Sequence, residues 1–440
     1  MIAAVSKPEL NDKKIVRAWC MYDWANSVYS LVITSTIFPV YFNAVATSAD
    51  GSEWVSFLGF QIQNSVLYSY SLSFSFLIVA IILPVLAGIA DYSGKKKKFM
   101  KMFVLLGSFS CMGLFLFNDL SRLEWGILCS MLASIGYSGS LVFYDAFLPE
   151  IVTEDRYDVT SARGYSMGYY GSVILLVICL VMINNWSTFG FADEGMAVRF
   201  TFLLTGLWWI GFSQIMFINV PDVSFGRKPE GKLWTNGYHE LLKVWQSLKA
   251  TADLRTYLGA FFFFNMGVQT VMYLAALFAA NELQLESSKL ILSFLIIQLV
   301  GALGAYLFAR FSGAYGNKTA LLVMIAIWII VCLMAYFVKT EYQFYGLAFV
   351  VGMIMGGIQS LSRATYTKLI PRTTIDHASY FSFYDVTYYI SVVVGTFSYG
   401  LIKQMTGSMR NSALALGAYF IIGMILLVMV KSERLRKATS

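Results

Sequence analysis

The chain has 440 residues, of which 58% are hydrophobic and 13% charged, and its mean hydropathy is +0.65. A soluble globule of this length needs more polar surface than that composition supplies, so the chain reads as an all-α polytopic membrane protein. Its net charge of +7 sits in loops between apolar runs and forms no separate basic domain, which excludes a nucleic-acid partner.

Apolar windows of about 20 residues, enough to cross a hydrocarbon core, predict about 12 helices. In chain order they are Ala18–Phe42, Val66–Ala90, Phe99–Phe117, Trp125–Phe147, Gly164–Ile183 and Val198–Asn219 in the first half. The second half supplies Tyr257–Ala280, Ile291–Ala309, Thr319–Val338, Phe344–Lys368, Tyr380–Ile402 and Ala413–Val430. The polar start leads into a span too long for a signal-peptide core, with no small-residue cleavage site after it.

Between the second and third helices stands Gly88-Ile-Ala-Asp91-Tyr-Ser-Gly94-Lys95-Lys96-Lys97-Lys98, with a degraded copy at Arg310-Phe-Ser-Gly313-Ala-Tyr-Gly316-Asn317-Lys318. Gly88 and Gly94 permit close approach and a sharp reversal, Asp91 can face a neighbouring helix N-terminus, and Lys95 with the lysines after it holds an anionic membrane face. An ordinary basic loop needs neither the glycines nor the aspartate at this spacing. The copy has Gly313 where the first turn has Asp91, so the charged latch is expected to be strong in the first half and weak in the second.

About 26 of the 32 basic residues flank the face that holds both termini, which the positive-inside rule makes cytoplasmic. They include Lys13, Lys14, Arg227, Lys228, Lys232, Arg255, Lys431, Arg434 and Arg436. The chain divides at the polar connection Pro221–Asp253, giving bundles at 1–220 and 255–440 with a linker at 221–254. Tyr238, Leu241, Leu242, Trp245 and Leu248 recur there at helical spacing, as expected of an amphipathic helix on the inner leaflet that couples the halves.

The five cysteines share no metal or disulfide spacing, and His239 and His377 lie far from any carboxylate pair. No Walker-type phosphate loop is present either. The reading is therefore a chain that is not an enzyme and holds no cofactor or metal.

Ionised side chains inside a span are costly and face a cavity or a partner. Asp23 is the only carboxylate of the first helix, and Asn26, Ser27 and Ser30 continue its face. It reads as a binder of a substrate ammonium or a proton carrier, against a local cap. Asp145 and Asp385 stand where pairing with Arg163 or Arg363 makes a gate. Asn265 with Gln269, and Gln359 with Arg363, are each one turn apart and serve either a polar path or interhelical hydrogen bonding.

Four segments carry a family resemblance. They are Tyr22-Asp23-Trp24-Ala25-Asn26-Ser27 with Phe38-Pro39-Val40-Tyr41-Phe42, then Phe147-Leu148-Pro149-Glu150-Ile151, then Ser161-Ala-Arg163-Gly164-Tyr165-Ser166-Met-Gly168-Tyr169, and Gly356-Gly357-Ile358-Gln359-Ser360-Leu361-Ser362-Arg363. With six helices on each side of a linker and a glycine-and-charge turn in each half, the chain resembles the major facilitator superfamily, in the branch of autophagy-linked vacuolar amino-acid effluxers and their bacterial relatives. The resemblance implies two pseudo-symmetric six-helix bundles working by alternating access. It implies that helices one, four, seven and ten line the path, where Asp23 takes an amine and Arg363 clamps a carboxylate. Tyr388, Tyr389 and Asp145 depart from the family pattern. The expected function is secondary transport of a small polar solute such as an amino acid, with protons as candidate coupling ions. The expected place is a bacterial inner membrane, or else a vacuolar one, as a monomer. A sensor or assembly partner that retains the fold is the competing reading.

Overall fold

The structure is a computed structural model that describes residues 9–47, 51–222, 233–285, 287–406 and 408–435. The part of the expected linker at 223–232, with Arg227, Lys228 and Lys232, lies outside the described residues, as does Arg436.

The first span comprises α1 (Lys13–Val28), a π-helical stretch (Tyr29–Ile37) and α2 (Phe38–Val45). Asp12 caps its start by accepting from the Lys14 and Ile15 N–H groups. Pro39 has no N–H to give the carbonyl four residues back, and the chain widens into the π-helix just before it. The Ser35 and Thr36 hydroxyls donate to the carbonyls of Ser30 and Leu31, at 2.9 and 2.7 Å, inside the wide turns. A small hairpin follows, with β1 (Trp54–Phe57) antiparallel to β2 (Phe60–Gln63). Its two-residue turn places Leu58 and Gly59 both at positive φ, the arrangement that suits strand twist.

The first bundle continues with α3 (Asn64–Ser93), α4 (Lys96–Gly113), α5 (Leu123–Asp145), the short α6 (Leu148–Ile151), α7 (Tyr157–Asn184) and α8 (Glu194–Asn219). The linker helix is α9 (Leu233–Ala250). The second bundle holds α10 (Ala252–Glu282), α11 (Ser287–Tyr315), α12 (Asn317–Phe337), α13 (Glu341–Leu369), α14 (His377–Thr406) and α15 (Met409–Met429). Among the described residues, ten helices are apolar and long enough to cross a membrane. α10 and α14, with 31 and 30 residues, complete the six and six.

Within the first bundle α1 packs on α7 and α8, and α4 on α5 and α8. Within the second, α11 packs on α13, α10 on α14 and α15, and α12 on α15. The halves meet along two seams, α3 against α14 and α7 against α11. The two ends of the described chain share one face: Asn11 bonds Thr153, and Arg434 bonds Glu154, in the α6–α7 connection. We call this the terminal face.

The expected spans are all present, and each starts a few residues too late. Gly164–Ile183 extends back to Tyr157 as α7, because the polar turns near a membrane surface keep their helical hydrogen bonds although they break the apolar run. The linker helix is present, yet its apolar side rests on protein rather than on the leaflet alone. Val244 and Leu248 are buried, α9 packs on α3, α10 and α14, and Trp245 stacks on Phe383 at 5.6 Å.

Candidate functional site

One buried arginine ties the two bundles together near the terminal face. Arg363, less than two turns from the end of α13, is 2% exposed and donates to Asp145 Oδ1 at 2.9 Å, Ser161 Oγ at 2.9 Å and the Ser161 carbonyl at 3.0 Å. Its remaining amino group reaches Asp23 Oδ2 at 3.5 Å. Aromatic faces enclose the guanidinium, with Tyr165 at 4.4 Å, Trp19 at 4.9 Å and Tyr144 at 5.4 Å. Removing one member of such a desolvated network strands the others, at a cost of about 3–5 kcal/mol.

The helices position these groups by simple periodicity. Trp19 and Asp23 lie one turn apart on α1, and the face continues through Asn26, Ser27 and Ser30. Tyr144 and Asp145 end α5, where the Trp19 indole donates to the Tyr144 carbonyl at 3.0 Å and stacks on its ring at 4.4 Å. The Tyr144 hydroxyl then donates to Asp23 Oδ2 at 2.7 Å. Gly164 lets α7 close on this knot, because a Cβ there would collide with Asp23 Oδ2.

The knot forms the floor of a cavity between the bundles. Its empty space, counting the part that opens to solvent, is about 1560 Å³. Asp23, Asp145, Arg363 and Asp385 line the floor, while Ser30, Ser35, Gln269 and Gln298 line the walls above. The π-helical stretch supplies one wall, an irregularity often found at functional sites. Asp385 is 7% exposed, and its Oδ2 has no hydrogen-bond partner among the described residues.

The terminal face is closed beneath that floor. Asp91 accepts from the N–H groups of Ala378 and Ser379, at 3.2 and 2.7 Å, and from the Ser379 hydroxyl at 2.8 Å. It thus sits on the N-terminus of α14, where helix dipole and free N–H groups favour an anion. Buried Lys96 pairs with Glu150, and Gly94 makes the turn at φ 66° with Gly88 buried one helical turn before Asp91. At the second turn Ser312 Oγ and Asn317 Nδ2 donate to Asp158 at 2.9 and 2.8 Å, and Lys368 pairs with the same carboxylate at 2.8 Å. Further out, Glu154 bonds Arg372 and Arg434, and Lys243 of α9 pairs with Asp376 at 3.1 Å. Burial lowers the Lys243 pKa, but the hydrogen bond and charge of Asp376, with Glu240, raise it further and leave it above the usual lysine range.

The structure brings together most of the residues expected from sequence and rearranges their partners. Asp23, Asn26, Asn265, Gln269, Gln359, Arg363, Asp145 and Asp385 all line one cavity. Asn265 donates to Ser391 at 2.7 Å and accepts from Gln269 at 3.3 Å, so these amides also tie α10 to α14. Gln359 accepts from the Tyr169 hydroxyl at 2.8 Å across the halves.

Three expectations are corrected. Arg163 pairs with neither Asp145 nor Asp385; it is exposed on the side of α7 that carries Val159 and Tyr170, and Arg363 takes Asp145, while Asp385 only lines the same cavity. Lys95 is exposed as the N-cap of α4, and Lys96 is the buried lysine of that turn. The latch at the second turn, expected to be weak, also holds a buried carboxylate, because Asp158 reaches it from α7. Sequence reading missed Asp158, Ser161, Tyr144, Tyr165, Gln298 and the Lys96–Glu150 pair. Only Gln298, a lone amide in an apolar span, carried a signal comparable to the residues that were chosen.

Two relatives and two solved structures match most of this chain. An uncharacterized MFS-type transporter, YxiO of Bacillus subtilis (strain 168), is 31% identical over 419 residues, covering 94% of each chain. Autophagy-related protein 22-1 of Aspergillus niger is 24% identical, over 97% of this chain and 82% of its own. The human organic anion transporter MFSD10 superposes with a TM-score of 0.72 at 11% identity, covering 95% of this chain and all of that one. The transporter FucP in its outward conformation gives 0.71 at 11% identity, over 95% and 98%. The model of the vacuole effluxer Atg22-like family matches residues 11–440, and the chain therefore belongs to that family, with the fold of a major facilitator superfamily transporter.

Proposed function

We propose that this protein is a secondary active transporter that moves a small polar solute, an amino acid or related zwitterion, by alternating access coupled to a proton. One observation carries the reading: Asp23 and Asp145 pair with the guanidinium of Arg363 at the closed end of a cavity between the halves, and Asp385 lines the same floor with one carboxylate oxygen left without a hydrogen-bond partner among the described residues. With every group ionised the cluster is short of positive charge, which a solute ammonium or a proton supplies.

The geometry also couples binding to movement. Arg363 belongs to the second bundle, and its polar partners Asp145, Asp23 and Ser161 all belong to the first. A solute carboxylate that takes the guanidinium fork removes cross-half bonds, and its ammonium finds Asp23 or the unpartnered oxygen of Asp385. The solute then favours opening of the terminal face by the difference between its affinities for the two states. The basic excess on that face supports a cytoplasmic terminal face, with the protein in a bacterial inner membrane.

The test is uptake of labelled amino acids, peptides and organic anions into proteoliposomes, with and without an imposed pH gradient. Saturable, gradient-stimulated uptake of a zwitterion supports the reading. Binding without transport of any of these solutes favours a sensor that retains the fold.

A further inference from the structure

The two seams between the halves are covered differently. Where α14 meets α3, the linker helix α9 lies over α3, with Lys243 on Asp376 and the Tyr380 hydroxyl on Ser247 at 2.8 Å. Where α7 meets α11, the outer surface bears exposed apolar side chains, Leu303, Tyr306 and Leu307, and two exposed arginines.

The register of this second seam is fixed. Ser166 Oγ of α7 donates to the Ala302 carbonyl of α11 at 2.9 Å. Counting one turn from each toward the terminal face sets Arg163 opposite Tyr306, and a further turn sets Val159 opposite Arg310. Ala162, Ala305 and Ala309 close the seam behind them. Arg310 donates to the Tyr306 hydroxyl at 3.1 Å and covers that ring at 5.5 Å, and among the described residues no carboxylate pairs with Arg310 or Arg163. From the helix ends the two arginines stand about 7.5 Å and about 9 Å deep, at 1.5 Å per residue. At that depth a long cationic side chain meets lipid phosphate rather than bulk water.

We propose that the α7–α11 seam binds the headgroup of an anionic phospholipid, with Arg163 and Arg310 sharing its phosphate and the acyl chains lying over Leu303, Tyr306 and Leu307. The pair draws one guanidinium from each half, so the bound lipid bridges the halves. It favours the state in which the terminal face is closed, because only there do α7 and α11 bring the arginines to one headgroup. Headgroup binding does not depend on whether a solute is carried.

The experiment titrates full-length protein in neutral detergent with phosphatidylglycerol, phosphatidylcholine or inorganic phosphate and follows the thermal midpoint. Wild type should show a saturable rise with phosphatidylglycerol and little with the other two. R163Q/R310Q should need roughly thirtyfold more phosphatidylglycerol for the same rise, and R163K/R310K, which keeps the charge but loses the fork, should fall between. Superimposable titrations of wild type and R163Q/R310Q overturn the site. A rise produced equally by inorganic phosphate overturns a lipid as its occupant. If the double variant proves too unstable to purify, R163Q and R310Q singly should each shift the titration roughly fivefold, and the absence of any shift in both overturns the proposal.

Discussion

Asp158 accepts a hydrogen bond from Ser312 at 2.9 Å, and in doing so it reverses the contact that Asp91 makes with Ser379 at the other seam. Asp91 belongs to the turn and Ser379 to the helix start it faces. At the second seam Ser312 belongs to the turn and Asp158 to the helix start. Two related turns thus use one carboxylate and one serine each, with the owners exchanged.

The exchange separates the two aspartates in a measurable way. Asp158→Asn strands Lys368, whose ammonium is nearly buried, and should destabilise the folded protein by about 3–5 kcal/mol. Asp91→Asn strands no lysine, since Lys96 keeps Glu150, so its thermal midpoint should move less while its transport turnover falls and ligand affinity holds. Equal turnover of Asp91→Asn and wild type at matched membrane abundance would rule out a latch at α14.

Arg363→Lys is not a conservative change here. Lysine keeps the charge but cannot reach Asp145, Asp23 and Ser161 from one planar group. Substrate affinity should drop by at least about tenfold, since hydrogen bonds to charged groups contribute about 1.5–3 kcal/mol each. Isothermal titration with the transported solute checks this, and an unchanged Kd would make Arg363 a purely structural tie.

Proton coupling is assigned by comparing two neutral variants. Asp385→Asn mimics a protonated acid at the carboxyl with an unpartnered oxygen. It should lose accumulation driven by a pH gradient and keep solute-for-solute exchange. Asp23→Asn weakens the contacts with Tyr144 and Arg363, so both activities should fall together. Full gradient-driven accumulation by Asp385→Asn would move the coupling proton to another carboxylate.

Gly164→Ala tests how closely α7 approaches the knot. The added methyl would strike Asp23 Oδ2 and lie 3.1 Å from both Arg363 Nη2 and the Tyr144 hydroxyl. Overpacking of that kind costs about 1–3 kcal/mol, and the thermal midpoint should fall with it. A midpoint matching wild type would mean that α7 shifts freely at this level.

Hydropathy made the spans legible because lipid imposes one simple rule on length and polarity. The intramembrane charges were legible for the same reason: Asp23, Asp145, Arg363 and Asp385 are conspicuous in apolar runs, and all four line the floor. Their pairing was not legible. Whether Arg163 or Arg363 meets Asp145 depends on the rotation of α7 by a fraction of a turn, which the Gly, Ser and Tyr spread around its first turns do not announce. Asp158 escaped notice because it precedes the apolar run and looks like loop, although its backbone already belongs to α7. The π-helix left only Pro39 as a trace.

That π-helical stretch gives the first span two possible lengths of winding. Its nine residues complete about two turns when each N–H reaches five residues back, and about two and a half when it reaches four. Tightening the stretch would therefore swing Phe38, Tyr41 and Phe42 about half a revolution relative to Asp23 without breaking the chain's internal hydrogen bonding for long. The outer aromatic packing of these three residues against Tyr68, Phe117 and Phe202 resists that unscrewing. Whatever loosens those rings at the outer end is felt as torque on the carboxylate at the floor.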